Sequence, residues 1–152
     1  MKRILFVCTG NSCRSVMAEG LFRKMTAARP GEFSVMSAGI SAVDGFPATE
    51  ETVKAMREEG IDVSAHRSRR LRPEMIRTAA RIFVMEEIHR EWILSAMPES
   101  AGKVSLLSEF LPQDGGPAGY RDVPDPIRMS SGFYKDVLDV IRRCLETLIE
   151  KL

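Results

Sequence analysis

The chain is 152 residues long, enough for a single substantial core, and we expect one domain spanning residues 1–152. Lys and Arg together number 22 and Asp and Glu 21, so charge gives no reason to expect a nucleic acid or a membrane surface as partner. No apolar run is long enough to cross a bilayer, and three cysteines, an odd number, suit a reducing compartment better than a disulfide framework. We therefore expect a cytoplasmic protein.

The first predicted element is a buried parallel strand over Arg3 to Val7, an apolar run of branched and aromatic residues. Cys8 follows at its carboxyl end. The next residues are small or turn-forming, and a helical pattern then runs from Ser15 to Ala28, with Ser15 placed as its cap. A loop that opens onto a helix N-terminus presents free amides and the positive end of the helix dipole, and both favour a bound anion.

This loop also carries a thiol and an arginine. The field of the helix favours the thiolate of Cys8, which is the nucleophilic form. Arg14 adds a planar guanidinium that can hold two phosphate oxygens and that binds more strongly as charge builds in a transition state. The pattern predicts a phosphate site with a cysteine nucleophile at its base. The loop lacks the Gly-Lys-Ser/Thr ending of an ATP-binding loop and implies no metal and no cofactor.

Strand and helix patterns alternate along the rest of the chain. The further predicted elements are strands at Phe33 to Ser37, Arg81 to Met85 and Lys103 to Leu106, and helices at Ala48 to Glu59, Glu87 to Ala96 and Gly132 to Lys151. This alternation predicts an α/β fold: a single-domain open, mainly parallel four-stranded sheet with helices on both faces. The irregular stretch from Pro112 to Ser131 is the candidate for a second functional loop at the carboxyl ends of the strands.

Four segments together resemble the low-molecular-weight protein tyrosine phosphatases. They are the Cys-X5-Arg-Ser motif CTGNSCRS from Cys8 to Ser15, SAGI from Ser37 to Ile40, GIDVSAHRSRRL from Gly60 to Leu71, and DVPDP from Asp122 to Pro126. The resemblance runs the whole length of the chain. It implies a protein phosphatase that acts on a phosphorylated protein. Within the family, the chain resembles bacterial members close to the protein-arginine phosphatase branch.

The resemblance implies a two-step reaction. Cys8 would attack phosphorus to give a cysteinyl-phosphate, while Arg14 and the loop hold the phosphoryl oxygens. Asp125, in the only Asp-Pro of the sequence, would protonate the leaving group and then activate water, and Asp122 is interpreted as structural. The predicted phosphate-binding residues are Thr9, Gly10, Asn11, Ser12, Cys13, Arg14 and Ser15.

Other residues are implied to support this loop. Ser15 resembles the family serine that donates to the cysteine sulfur, and Asn11 resembles the residue whose side chain pins the loop. His66 is either a histidine that helps Asn11 or an ordinary surface residue of a basic run. Cys13 is either a small loop residue or a thiol that joins Cys8 in a reversible, protective disulfide.

Ser12 and Ile127 are the positions that bear on substrate choice. Tyrosine-specific members usually have an aliphatic residue at the Ser12 position and aromatic residues after the Asp-Pro, where this chain has Ile127 and Arg128. Protein-arginine phosphatases look similar in carrying a small hydroxyl residue, usually Thr, at the Ser12 position, although they tend to keep an aromatic after the Asp-Pro. Phosphotyrosine and phosphoarginine both remain open as substrates, as does the oligomeric state.

The loop also resembles that of thioredoxin-coupled arsenate reductases, which belong to another reaction class. Those enzymes need two further cysteines to carry electrons away from the first. The corresponding region here, Arg81 to Pro98, contains none, and Cys144 lies on the apolar stripe of the last predicted helix. The sequence therefore favours a phosphatase.

Overall fold

The computed structural model describes residues 1–112, 122–127 and 129–152. Within these residues the strands are β1 (Lys2–Cys8), β2 (Phe33–Gly39), β3 (Arg81–Val84) and β4 (Val104–Leu106). The α-helices are α1 (Arg14–Met25), α2 (Glu50–Glu58), α3 (Pro73–Thr78), α4 (Glu87–Ala96) and α5 (Ser131–Lys151), and 3-10 turns cover Pro98–Lys103 and Leu107–Phe110. The strands form one parallel sheet in the order β2-β1-β3-β4.

The side chains of β1 alternate between two hydrophobic cores, one on each face of the sheet. Phe6 and Cys8 face a core made with α1, α2 and α5, whereas Leu5 and Val7 face a core made with α3 and α4. This alternation follows from the two-residue period of a strand. The helices therefore cover both faces, and the predicted α/β architecture is confirmed.

The sequence-based boundaries agree with the structure to within a few residues, with two corrections. Ser15 does not cap α1: the helix already begins at Arg14, its cap position is Cys13, and the Ser15 side chain bonds to other groups. The short helix α3 was not predicted. It has only six residues, and its start is signalled by Pro73 at the first helical position.

Parallel strands bring their carboxyl ends to one edge of the sheet, where ligands bind in open α/β folds. Cys8 pairs with Gly39 at the ends of β1 and β2, and Val7 pairs with Val84 at the end of β3. The loops that follow these three strands therefore meet at one place. None of the helices in residues 1–112, 122–127 and 129–152 is both long and apolar enough to span a membrane.

Candidate active site

Cys8 is the last residue of β1, and its thiol lies at the base of the loop that leads into α1. The residue is buried. Its Sγ lies 2.9 Å from Ser15 Oγ and receives the backbone N–H of Asn11 over 3.2 Å. Two polar groups therefore converge on the sulfur.

Asn11 holds the loop in shape from inside. Its backbone is left-handed, with φ 52°, and its buried side-chain amide donates to Ser15 Oγ over 2.8 Å and to Ser37 Oγ over 2.9 Å. Its Oδ1 accepts the Arg69 N–H over 2.9 Å, and His66 Nε2 lies 2.9 Å from its carbonyl oxygen. These bonds stabilise a conformation that an L-residue seldom adopts.

Gly39, in the SAGI motif, lets β2 approach the loop closely. A β-carbon at this position would lie 2.5 Å from the Thr9 carbonyl oxygen and 2.8 Å from the Asn11 nitrogen, closer than atoms pack. The chain beyond it then donates to the loop, from Ile40 N to the Cys8 carbonyl over 3.0 Å and from Ser41 N to the Thr9 carbonyl over 2.9 Å. Only glycine fits here.

Arg14, at the start of α1, is among the largest fully buried side chains of the protein, at 2 % exposure. Its Nη1 donates to Glu86 Oε2 over 2.6 Å and to the Val123 carbonyl over 2.9 Å. Its Nη2 lies 3.6 Å from Asp125 Oδ2. A buried guanidinium that is held through one nitrogen can still bind an anion through the N–H groups of its other nitrogens.

Asp125 reaches this place from the segment that precedes α5, and its side chain is 42 % exposed. Its other oxygen, Oδ1, accepts the Ile127 N–H over 3.1 Å, which fixes the local turn. Ile127 is itself exposed, whereas its neighbour Arg128 lies outside the described residues.

Asp122 anchors the same segment to the sheet edge. Its Oδ1 accepts the Glu87 N–H in the first turn of α4 over 2.9 Å, and the next residue, Val123, donates to the Met85 carbonyl over 2.7 Å. A carboxylate at a helix N-terminus is favourable because it satisfies a free amide and the helix dipole. These contacts are those of a structural residue.

The other predicted phosphate-binding residues lie in the same loop. Thr9, Gly10 and Ser12 are partly buried, and the Ser12 carbonyl accepts the Thr49 N–H over 3.1 Å. The predicted residues of the loop therefore lie together with Asp125 beside Arg14, while His66 contacts the Asn11 carbonyl and Ile127 is bonded to Asp125.

Cys13 faces away from solvent, toward α2 and α5. Its Sγ lies 3.5 Å from Thr49 Oγ1 and 3.7 Å from Tyr134 Oη, and burial raises the pKa of Tyr134 to about 12. The three cysteines are free, so Cys13 and Cys8 are not joined. Cys144 is fully buried within α5, where burial raises the pKa of its thiol to about 12.

Sequence reasoning missed the residues that contact the predicted ones from distant positions in the chain. Glu86 binds Arg14, His89 lies 2.8 Å from Thr9 Oγ1, and Ser37 links Asn11 to Glu19 through its hydroxyl, which donates to Glu19 Oε1 over 2.7 Å. For Glu86 a signal exists, because it lies two residues after Val84, where β3 ends at the ligand-binding edge of the sheet. Among the described residues, no group of three or more His, Cys, Asp or Glu is arranged to hold a metal ion.

With this geometry in place, comparison with known proteins decides the family. The family model described as low molecular weight phosphotyrosine protein phosphatase matches residues 3–152. The chain belongs to this family. It is thus a hydrolase of the low-molecular-weight protein-tyrosine-phosphatase type, as the sequence motifs predicted.

Relatives within this phosphatase family carry two kinds of name. The probable low molecular weight protein-tyrosine-phosphatase EpsP of Ralstonia nicotianae is 35% identical over 100% of this chain and 97% of its own length. The crystal structure of a low molecular weight protein tyrosine phosphatase from T. tengcongensis is 39% identical, with a TM-score of 0.89 and 100% of both chains covered. A structure of the YwlE arginine phosphatase, a mutant with a phosphorylated active-site serine, is 33% identical, with a TM-score of 0.88, covering 99% of this chain and 95% of its own. The fold and the family are therefore established, and the relatives include proteins named as tyrosine phosphatases and one named as an arginine phosphatase.

Proposed function

We propose that this protein, as one phosphatase domain over residues 1–152, hydrolyses phosphotyrosine in proteins through a cysteinyl-phosphate intermediate. The observation that carries the proposal is the setting of the Cys8 sulfur. It lies at the base of a loop between a strand end and a helix N-terminus, and the Asn11 N–H and the Ser15 hydroxyl both lie within hydrogen-bond distance of it. Such donors suit a thiolate that attacks an anion held above it.

In the first step, the Cys8 thiolate attacks phosphorus. The sulfur–phosphorus bond forms as the bond from phosphorus to the tyrosine oxygen breaks, and Asp125 gives its proton to that oxygen. In the second step, the ionised Asp125 takes a proton from water, whose oxygen attacks phosphorus. The sulfur–phosphorus bond breaks, and inorganic phosphate and the Cys8 thiolate are released.

Arg14 would hold the phosphoryl oxygens in both steps. Its attachment to Glu86 and to the Val123 carbonyl fixes the guanidinium before any substrate arrives. Preorganised donors of this kind act on developing charge without the cost of reorganising solvent. Because Nη2 already lies 3.6 Å from Asp125, the acid and the arginine can reach the same phosphoryl group.

Ser15 would help the sulfur both as it attacks and as it leaves. Its oxygen accepts the Asn11 side-chain amide, so its own hydroxyl hydrogen is available to the Cys8 sulfur. The arginine-phosphatase relative supports a phosphorylated nucleophile, since its mutant, in which a serine replaces a cysteine, carries phosphate on the active-site serine.

Three exposed apolar side chains lie close in sequence to residues of the site, and a phenol ring is the leaving group that such side chains would favour. Phe46, Ile88 and Ile127 are exposed, and each lies on a segment attached to the site. Phe46 precedes Thr49, whose N–H binds the loop; Ile88 follows Glu86, which binds Arg14; and Ile127 follows Asp125. A phenol ring that buried apolar surface against these side chains would gain about 1 kcal/mol or more.

The second candidate is phosphoarginine in proteins. Ser12, small and partly buried, would leave room and a hydroxyl for a guanidinium where a branched aliphatic side chain would crowd it. The named arginine phosphatase among the relatives supports this reading. Arsenate reduction has less support, because the Cys144 side chain on α5 is buried in the hydrophobic core. The chain has no cysteine besides Cys144, Cys8 and Cys13.

The deciding experiment compares kcat/KM on two peptides of one sequence, one with phosphotyrosine and one with phosphoarginine, using Cys8→Ser as the blank. We expect the phosphotyrosine peptide to be preferred by at least about tenfold, since apolar contacts worth about 1.4 kcal/mol give that ratio. A preference for phosphoarginine would overturn the first candidate in favour of the second.

The variant Ser12→Ile makes the comparison sharper. An aliphatic side chain there should leave hydrolysis of phosphotyrosine within about threefold of the parent and reduce that of phosphoarginine by at least about tenfold, through lost space and a lost hydroxyl partner. Equal changes for both peptides would remove Ser12 as the selecting residue.

A further inference from the structure

His89 is a fully buried histidine that joins the catalytic loop to α4. Its Nδ1 lies 3.0 Å from the backbone nitrogen of Glu86, and its Nε2 lies 2.8 Å from Thr9 Oγ1. Thr9 directly follows Cys8, and Glu86 is the residue that holds Arg14. One imidazole thus spans the two parts of the site that handle the phosphoryl group.

The bonding fixes which nitrogen of the ring carries hydrogen. A backbone N–H can only donate, so the Nδ1 that receives the Glu86 N–H is unprotonated. The neutral ring then carries its hydrogen on Nε2 and donates it to Thr9 Oγ1. Because Thr9 Oγ1 accepts from the ring, its own hydroxyl hydrogen is free to point elsewhere.

The surroundings keep the ring neutral. Burial, followed by the nearby charge of Arg14, lowers the pKa of His89 to about 4, although Asp122 and Asp125 act in the opposite direction. Glu86 Oε2, which binds Arg14, lies 3.8 Å from Nε2. At neutral pH both hydrogen bonds of the ring are therefore in place.

We propose that His89 is a positioning residue of the phosphatase reaction, which fixes Thr9, and with it the Cys8 loop, relative to the Glu86 carboxylate that holds Arg14. The proposal rests on the proposed function of the site. Its chemical sense is that the nucleophile and the arginine must meet one phosphoryl group at the same time. Small errors in such spacing cost more in the transition state than in the bound substrate.

Two conservative substitutions separate the two ends of the ring. In His89→Gln the side-chain NH2 can replace the Nε2–H and reach Thr9, whereas in His89→Asn the shorter side chain can accept the Glu86 N–H but cannot reach Thr9. We expect His89→Asn to lower kcat about tenfold to a hundredfold with KM changed less than about threefold. His89→Gln should recover most of that loss. Glu91→Gln, an exposed position on the same helix, is the matched control and should change neither value.

Thr9→Val tests the same bond from the other end. If the His89–Thr9 bond carries the effect, Thr9→Val and His89→Asn together should be no slower than the worse single variant, because both remove one interaction. Losses that multiply would overturn the proposal. So would an unchanged kcat in His89→Asn, measured where unfolding curves show the variant to be folded.

A measurement independent of turnover separates this proposal from the proposed function. Nitrogen-15 NMR of the histidine rings at neutral pH should find hydrogen on Nε2 of His89 and none on Nδ1. The opposite tautomer, or a charged ring, would overturn the positioning role even in an active enzyme. If the parent protein shows no phosphatase activity although His89 has the expected tautomer and vanadate binds, that result would instead count against the proposed function.

Discussion

The loop from Cys8 to Ser15 and the segment from Asp122 to Ile127 meet at one site, yet they are held in different ways. In the loop, the single side chain of Asn11 makes three hydrogen bonds, to Ser15, Ser37 and Arg69, and the residue is fully buried. The segment is attached through Asp122 and Val123, while the Asp125 side chain remains 42 % exposed.

This difference suits the two tasks that the proposed reaction requires. A phosphate cradle works best when its donors are fixed before the charge develops, and buried, fully bonded groups achieve that. A general acid must instead exchange protons with the leaving group and with water, which an exposed side chain on an anchored segment allows. We therefore expect changes in the loop to affect the chemistry or the stability of the fold, and changes at Asp125 to affect mainly proton transfer.

The largest effect is expected from removing the proposed nucleophile, Cys8, without disturbing the rest of the loop. Cys8→Ser should lower turnover by about 10⁴-fold or more, because a hydroxyl in this setting is a much weaker nucleophile. Equilibrium binding of phosphate or vanadate should stay within about tenfold of the parent, since the loop bonds and Arg14 remain. Turnover at the parental rate would refute the role of Cys8, and loss of anion binding would show that the sulfur itself shapes the cradle.

The next effect tests the exposed half of the site. Asp125→Asn should slow hydrolysis of a phosphate ester with a poor leaving group, such as phenyl phosphate, by about 10²- to 10³-fold. An ester whose leaving group needs no proton, such as dinitrophenyl phosphate, should slow far less. Asp122→Asn is the control, because it leaves Asp125 in place and should slow both esters alike. Equal slowing of both esters in Asp125→Asn would give Asp125 a structural role.

The smallest effect concerns the stability of the buried half. The pKa of His89 falls from 6.5 to about 4 on folding, so between these values the unfolded chain binds more protons than the folded protein. Stability should therefore fall as the pH is lowered, and this histidine should contribute a loss of about 2 kcal/mol between about pH 7.5 and about pH 5. Urea unfolding at both pH values measures it, and the fall should be smaller by that amount in His89→Gln. An equal fall in both proteins would contradict the prediction.

The sequence by itself determined the parts of this protein that are local in the chain. Strand, loop and helix from Arg3 to Met25 carry their own signals, since an apolar run, turn-forming residues and a helical stripe follow one another directly. Cys8 and Arg14 are six positions apart in that loop, so their proximity follows from the chain itself. Alternation of strands and helices likewise indicated the parallel sheet, because parallel neighbours need a crossover between them.

Only the tertiary structure decided which residues hold these groups. Glu86 lies 72 positions after Arg14 and His89 lies 80 positions after Thr9, and they meet only because β3 pairs with β1 in the order β2-β1-β3-β4. The sequence indicates that β3 exists, but it does not indicate which residues after this strand contact Arg14 and Thr9. Ser15 makes the same point, since its hydroxyl suits a helix cap and the fold instead directs it to Cys8. A local pattern can place Glu86 near the ligand-binding edge of the sheet, but its contact with Arg14 depends on strand order and on how the loops meet, which no local pattern encodes.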